Sequence, residues 1–216
     1  MDGSVLLVAW QKASMVYPRV TGFHWGSLDF MWYIEGTRGS SGYARQKGAR
    51  TKSGFHDVNT FLNLPPHRYS GVQSIQDFVA GKDAQEHTPL SLADLIDRDV
   101  EAAEEKLKDL GEIKNKELRL TIDDIKIVCE MGRYYADKIR GATYVALARE
   151  SKDEADKDTA VAALTRAADH YKAYVSLVTA NHTHEIWFNR VGTLNFKNQI
   201  EDAMRDIEFA NEIEVN

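Results

Sequence analysis

The chain has 216 residues, of which 43% are hydrophobic and 28% charged, with a formal net charge of −6. That is the composition of a globular protein with enough chain for a real core. No apolar run reaches the roughly 18 residues of a membrane span. One cysteine, Cys129, excludes an internal disulfide and a cysteine-based zinc site. Residues 1–89 carry nine Lys/Arg against seven Asp/Glu, a balance of +2, and residues 90–216 carry 18 against 26, or −8. The acidic second part argues against general nucleic-acid binding.

The first residues, DGSVLLVAWQKAS, place an acid where an export signal needs positive charge, and they read as a helix over 2–17 that stops before Pro18. Residues 18–35 are nearly continuous aromatic and aliphatic and predict a buried helix or helix-plus-turn. Residues 36–54, GTRGSSGYARQKGARTKSG, hold five glycines, five Lys or Arg and no acid, and read as a loop. Residues 55–87 mix a short apolar piece, a Pro65-Pro66 break and a short helix at 74–80. Eleven of the 21 aromatic residues fall in the first 70 positions, so this third is the place where a ligand would be met.

The second part reads as helices. Thr88-Pro89 is a helix start, and Leu92, Leu95, Ile96, Ala103 and Leu107 give one face to about residue 110. Thr121-Ile-Asp-Asp124 resembles a capping box. After it Ile125, Cys129, Gly132, Ala136, Ile139 and Thr143 form a seam of small residues that admits a close neighbour. A third helix carries Ala160, Leu164, Ala167, Tyr171 and Tyr174, and a fourth Phe196, Ile200, Ala203 and Ile207. The fold class is mainly α: an irregular aromatic segment over 1–87, then an antiparallel bundle of about four helices over 88–216.

Several groupings bear on chemistry. Phe23-His24-Trp25, Asp29, Trp32 and Glu35 combine ring surfaces with a histidine and two carboxylates, the materials of sugar contact or glycoside hydrolysis, or simply of a core. His56-Asp57 is a second polar knot, with a satisfied structural histidine as the plain alternative. Arg38, Arg45, Lys47, Arg50 and Lys52 offer forked guanidinium donors to a carboxylate such as that of a uronic acid, or else a solvated loop. The glycines match no phosphate-binding or dinucleotide pattern. His182-Thr-His184-Glu185 lacks an evident third ligand, so no metal and no cofactor is expected. Cys129 faces the seam and reads as a core residue.

Four stretches carry a resemblance: WQKASMVYPRVTGFHWGSLDFMWYIEG (10–36), TKSGFHDVNTFLNLPPH (51–67), YYADKIRGATYVALARE (134–150) and ALTRAADHYKAYVSLVTA (163–180). Together they resemble the C-terminal region of large bacterial glycoside hydrolase-like proteins related to α-glucuronidases. The resemblance implies that a catalytic (β/α) barrel precedes this region, with the acids on its strands, so no catalytic residue is assigned here. It implies a parent protein that is periplasmic or secreted, with a cytoplasmic one as the alternative.

The expected function is therefore an accessory helical part of a carbohydrate-active protein. It binds a glycan, anionic or neutral, through Trp25, Trp32, His24, His56, Asp57, Arg38, Arg45 and Arg50. Its protein partner is an upstream barrel or a second copy of the chain. The alternatives are an interaction module without ligand, and a small stand-alone hydrolase using Asp29, Glu35 or His56.

Overall fold

The computed structural model describes residues 3–24, 32–84, 86–189 and 191–215. The chain opens with two helices rather than one: α1, Gly3–Ser14, and α2, Val16–Phe23. Proline 18 is the reason. In a continuous helix its ring would meet the carbonyl of residue 14, and it has no N–H to give. The chain therefore breaks at Met15 and restarts, leaving Pro18 in the first turn of α2, where no donor is required.

The segment read as loop contains structure. A two-residue strand β1, Trp32–Tyr33, pairs antiparallel with β2, Arg38–Gly39, around a 3-10 turn at Ile34–Gly36. A short helix α3, Ser41–Gln46, follows, started by Ser40, whose hydroxyl accepts the Tyr43 amide at 3.3 Å. The returning chain is stitched to β2 by Gly39 N–H to the Gly54 carbonyl at 2.9 Å and His56 N–H to the Thr37 carbonyl at 2.8 Å. Gly54 sits at φ +87, where an added Cβ would run into the Gly39 carbonyl oxygen, so glycine is required there. Two further capped helices complete this part: α4, Val58–Asn63, with Asp57 as cap, and α5, Ile75–Val79, with Ser74.

Four helices form the expected bundle: α6, Pro89–Lys108; α7, Lys116–Ser151; α8, Glu154–Asn181; and α9, Gln199–Asn211. Helix α7 starts before the Thr121 box. Asn115 is the true cap, accepting the Leu118 amide at 3.1 Å, and the Thr121 hydroxyl bonds the Glu117 carbonyl within the helix. A two-residue link, Lys152-Asp153, reverses the chain between α7 and α8, and Lys152 takes the left-handed conformation there at φ 58. Between α8 and α9 lies a hairpin, β3 Glu185–Phe188 with β4 Gly192–Asn195, pairing Ile186 with Leu194.

Packing follows the small residues of α7. A Cβ on Gly132 would lie 2.8 Å from both Val16 and Val100, and one on Gly141 would lie 2.5 Å from Leu164. Absence of those carbons is what lets α2, α6 and α8 close on α7. One apolar cluster runs from Ala9 and Val16 through Phe55 and Phe61 to Tyr134, Tyr135, Tyr171 and Ala210, joining the first third to the bundle. Among the described residues, no helix is long and apolar enough to cross a membrane.

Candidate functional site

At the centre of the molecule is a buried charge pair. Lys138 of α7 is fully buried, and its Nζ lies 2.5 Å from Asp206 Oδ2 of α9. Nζ also donates to the Tyr134 hydroxyl at 3.1 Å and lies 4.4 Å from the centre of the Phe55 ring. Asp206 Oδ1 accepts the Val58 amide at 2.8 Å, so α9 is tied to the start of α4. Burial pushes the Asp206 carboxyl up to about 6, against the pull of Lys138.

Asp57 stands beside this pair. Its Oδ1 accepts from the Thr60 amide and hydroxyl, each at 3.0 Å, and its Oδ2 accepts the Arg50 amide at 2.7 Å. It thus fixes the end of the basic segment to α4. The predicted knot His56-Asp57 is a knot of core bonds. His24 and His56 are both fully buried, with His24 Nε2 and His56 Nδ1 2.7 Å apart, and His24 stacks on Phe61 at 4.1 Å. Burial holds His56 down to about 3, with Lys138 adding to the effect, and burial, His56 and Lys138 hold His24 well below the usual range. Both are neutral core groups, out of reach of a sugar on the surface.

The arginines separate. Arg38 is half-buried and donates from Nη1 to the Thr193 carbonyl at 2.8 Å, holding the β3–β4 hairpin against β2. Arg45 is exposed on α3, with Nε 3.3 Å from the Ser41 carbonyl. Arg50 lines a large concave surface. Trp25, Asp29 and the side chain of Trp32 lie outside the described residues. Glu35 is partly buried, and burial raises its carboxyl; Tyr17 nearby is pushed up to about 12 by burial and by the charge of Glu35.

That concave surface is a cleft of about 550 Å³ between residues 50–53 and α9. Arg50, Lys52 and Ser53 form one wall, Arg205, Glu208 and Phe209 the other, and Asp57 and Asp206 lie at its base. Ser53 Oγ bonds Asp202 at 2.8 Å, and Arg205 meets the same carboxylate at 2.5 Å, so the two walls are joined at one end. At the other end Arg50, Phe209 and Glu212 are shared with a second cavity of about 410 Å³, which adds Arg149 and Lys152 from the end of α7. The volume is that of a small-molecule site, with a few polar groups directed inward. Its lining sets Arg50, Lys52 and Arg205 beside Asp57, Asp206, Glu208 and Glu212, and Phe209 adds an aromatic surface.

Of the residues singled out in the sequence, Arg50 and Asp57 line the cleft, together with Arg205 and Phe209 of α9, while Arg149 of α7 lines the second cavity. Near the end of α8, His182 Nε2 lies 2.8 Å from Asp124 Oδ1, and among the described residues no group of three or more His, Cys, Asp or Glu is placed to hold a metal. Cys129 is buried, and burial pushes its thiol up to about 12, which leaves it unreactive.

The arrangement of helices and hairpin is a fold found within a glycoside hydrolase. The solved structure of a GH138 enzyme targeting pectin rhamnogalacturonan II matches 95% of this chain with a TM-score of 0.70 at 13% identity. The chain spans 31% of that enzyme's length, so the likeness is to one part of a larger protein. No family model matches the sequence, and no curated protein does.

Proposed function

We propose that this chain is the accessory helical part of a carbohydrate-active, glycoside hydrolase-like protein, and that the cleft between residues 50–53 and α9 holds a glycan. The observation that carries this reading is the cleft itself, with Arg50 and Lys52 on one wall and Arg205 and Phe209 on the other. The likeness in fold to an enzyme targeting pectin rhamnogalacturonan II supports it, and so does the α-glucuronidase-like resemblance in the sequence, which implies a uronate-bearing substrate. The bundle acts as scaffold, catalysis belongs to a barrel domain elsewhere in the parent protein, and that parent works in the periplasm or outside the cell. Calorimetric titration with oligogalacturonides and with neutral oligosaccharides tests the binding role. Binding that weakens about tenfold in Arg50→Ala, the scale of one lost charge-assisted bond, supports it; absence of binding to either glycan overturns it.

A second reading has its own observation. Leu7, Trp10 and Tyr17 are 56%, 43% and 36% exposed on the outer face of α1 and α2. With Ile127 and Val128 of α7, Trp10 and Tyr17 line an apolar hollow of about 260 Å³. An apolar face of this kind marks a protein interface, here with a barrel domain or a second copy of the chain. Sedimentation of the native chain and of Trp10→Ser tests it: self-association lost in the variant favours the interface, and a monomer that binds no hydrophobic dye removes it.

A further inference from the structure

The two cavities meet at Phe209, and the charges around that ring are arranged in a way the glycan reading alone does not require. The guanidinium carbon of Arg50 lies 4.9 Å from the ring centre and that of Arg149 lies 5.1 Å from it. One comes from the segment after α3 and the other from the last turn of α7. Each is on the exposed side of its element. Burial lowers the pKa of Arg149, and the charge of Arg50 lowers it further, as expected of two cations held near one another. Lys152 stands on the rim of the smaller cavity and adds a third cation.

Cations gathered this way are stabilised by an anion placed between them. The protein supplies half of one. Glu212 Oε2 lies 3.0 Å from Arg50 Nη2, while among the described residues no carboxylate lies within ion-pair distance of Arg149. The Glu212 side chain is 61% exposed and the Arg50 side chain 53%, so the pair they make is a weak one. A ligand carboxylate that engages both guanidiniums gains two charge-assisted contacts and gives up one. The C-terminal end of α7 opposes an anion here through its carbonyl dipoles, which keeps the affinity modest.

We infer that Arg50 and Arg149, which share the Phe209 ring as a neighbour, form a carboxylate-binding subsite for a hexuronate residue, and that Glu212 is the resident carboxylate the ligand displaces. The sugar portion rests on the glycan reading above; the anion portion stands without it. Phe209 lies against both guanidiniums, and Lys152, whose Nζ donates to the Glu214 carbonyl at 3.3 Å, adds positive charge to the same cavity.

The test is an NMR titration of the full chain with galacturonate, galactose and inorganic phosphate, repeated on Arg149→Gln and Glu212→Gln. Both positions are exposed, and melting curves of the variants verify that they fold. Galacturonate binds in the millimolar range, and Glu212→Gln tightens it by about threefold while Arg149→Gln weakens it by about fivefold, steps of roughly one charged contact. Binding weakens as salt is raised, because the contacts are exposed. An unchanged affinity in Arg149→Gln, or no tightening in Glu212→Gln, overturns the subsite. Equal binding of galactose and galacturonate overturns the subsite while leaving the glycan cleft. Phosphate binding that depends on Arg149, with neither sugar binding, upholds the anion subsite and overturns the sugar reading.

Discussion

Replacing Lys138 by methionine isolates the buried pair on which the cleft is built. The side chain is fully buried, Asp206 is 4% exposed, and the surroundings are Phe55, Phe61 and Tyr134. Methionine fills the space and keeps the apolar contacts, so the change removes a charge and little else. Asp206 is then left buried beside Asp57 without its counter-ion, and breaking such a pair costs about 3–5 kcal/mol.

In the native protein the Asp206 pKa of about 6 lies above the unfolded value of 3.8, so its contribution to stability is lost as pH rises from about 4 to 6, then levels off. Without Lys138 that pKa rises further, and the loss continues above pH 6. Each pH unit by which that pKa rises adds about 1.36 kcal/mol to the deficit above pH 6. Urea unfolding followed by circular dichroism should therefore find Lys138→Met close to native at pH 5 and much weaker at pH 8. In a double variant with Asp206→Asn, most of the pH 8 deficit should be recovered. An equal deficit at both pH values, or one below about 1 kcal/mol at pH 8, would refute the account of the pair.

Acid should weaken the fold through the histidines. His24 and His56 are held neutral well below 6.5, so each loses about 1.36 kcal/mol of stability per pH unit as pH falls from 6.5. Asp206 gains about the same amount between pH 6 and 4, leaving a net loss of about 1.4 kcal/mol per unit from these three groups. An unchanged urea midpoint from pH 7 to 5 would contradict this. Gly54→Ala should destabilise by about 2 kcal/mol, since it forces a Cβ into a left-handed position against the Gly39 carbonyl; an unchanged midpoint would mean the segment is free to shift. Glu212→Gln should leave the melting temperature within about 2 °C of native, because an exposed ion pair contributes little; a large drop would make Glu212 structural rather than displaceable.

The long helices were legible because their signals are local. Thr88-Pro89 starts α6 as read, with the Thr88 hydroxyl accepting the Ser91 amide at 3.0 Å, and the small-residue seam of α7 meets its neighbours as its spacing required. The misread boundaries have equally local causes. Asn115 is a good cap hidden among lysines and glutamates, and Thr121 merely resembles one. The β3–β4 hairpin is short and depends on outside contacts, such as the Tyr33 ring 4.1 Å from Phe188 and the Arg38 bond to Thr193.

The site was legible only in part. Arg50 could be named from the basic run, but its partners Phe209 and Arg149 are 159 and 99 positions further along the chain. No spacing rule connects them; only the packing of α9 on the bundle does. His24 and His56 looked like ligand contacts for the same reason that they make good core residues: they sit among aromatics. Among the described aromatics of the first third, Phe23, Phe55 and Phe61 are core rings, Trp10, Tyr17 and Tyr69 are exposed, and Tyr33 and Tyr43 are intermediate.

The central claim is that the cleft beside α9 holds an anionic glycan. Chemical-shift mapping of the labelled chain with an oligogalacturonide tests it most directly, because it reports place as well as binding. The account predicts shifts concentrated on the amides of Thr51, Lys52, Ser53, Phe209 and Glu212, reduced in Arg50→Ala. Shifts confined to α1 and α2, or none at millimolar glycan, would contradict it.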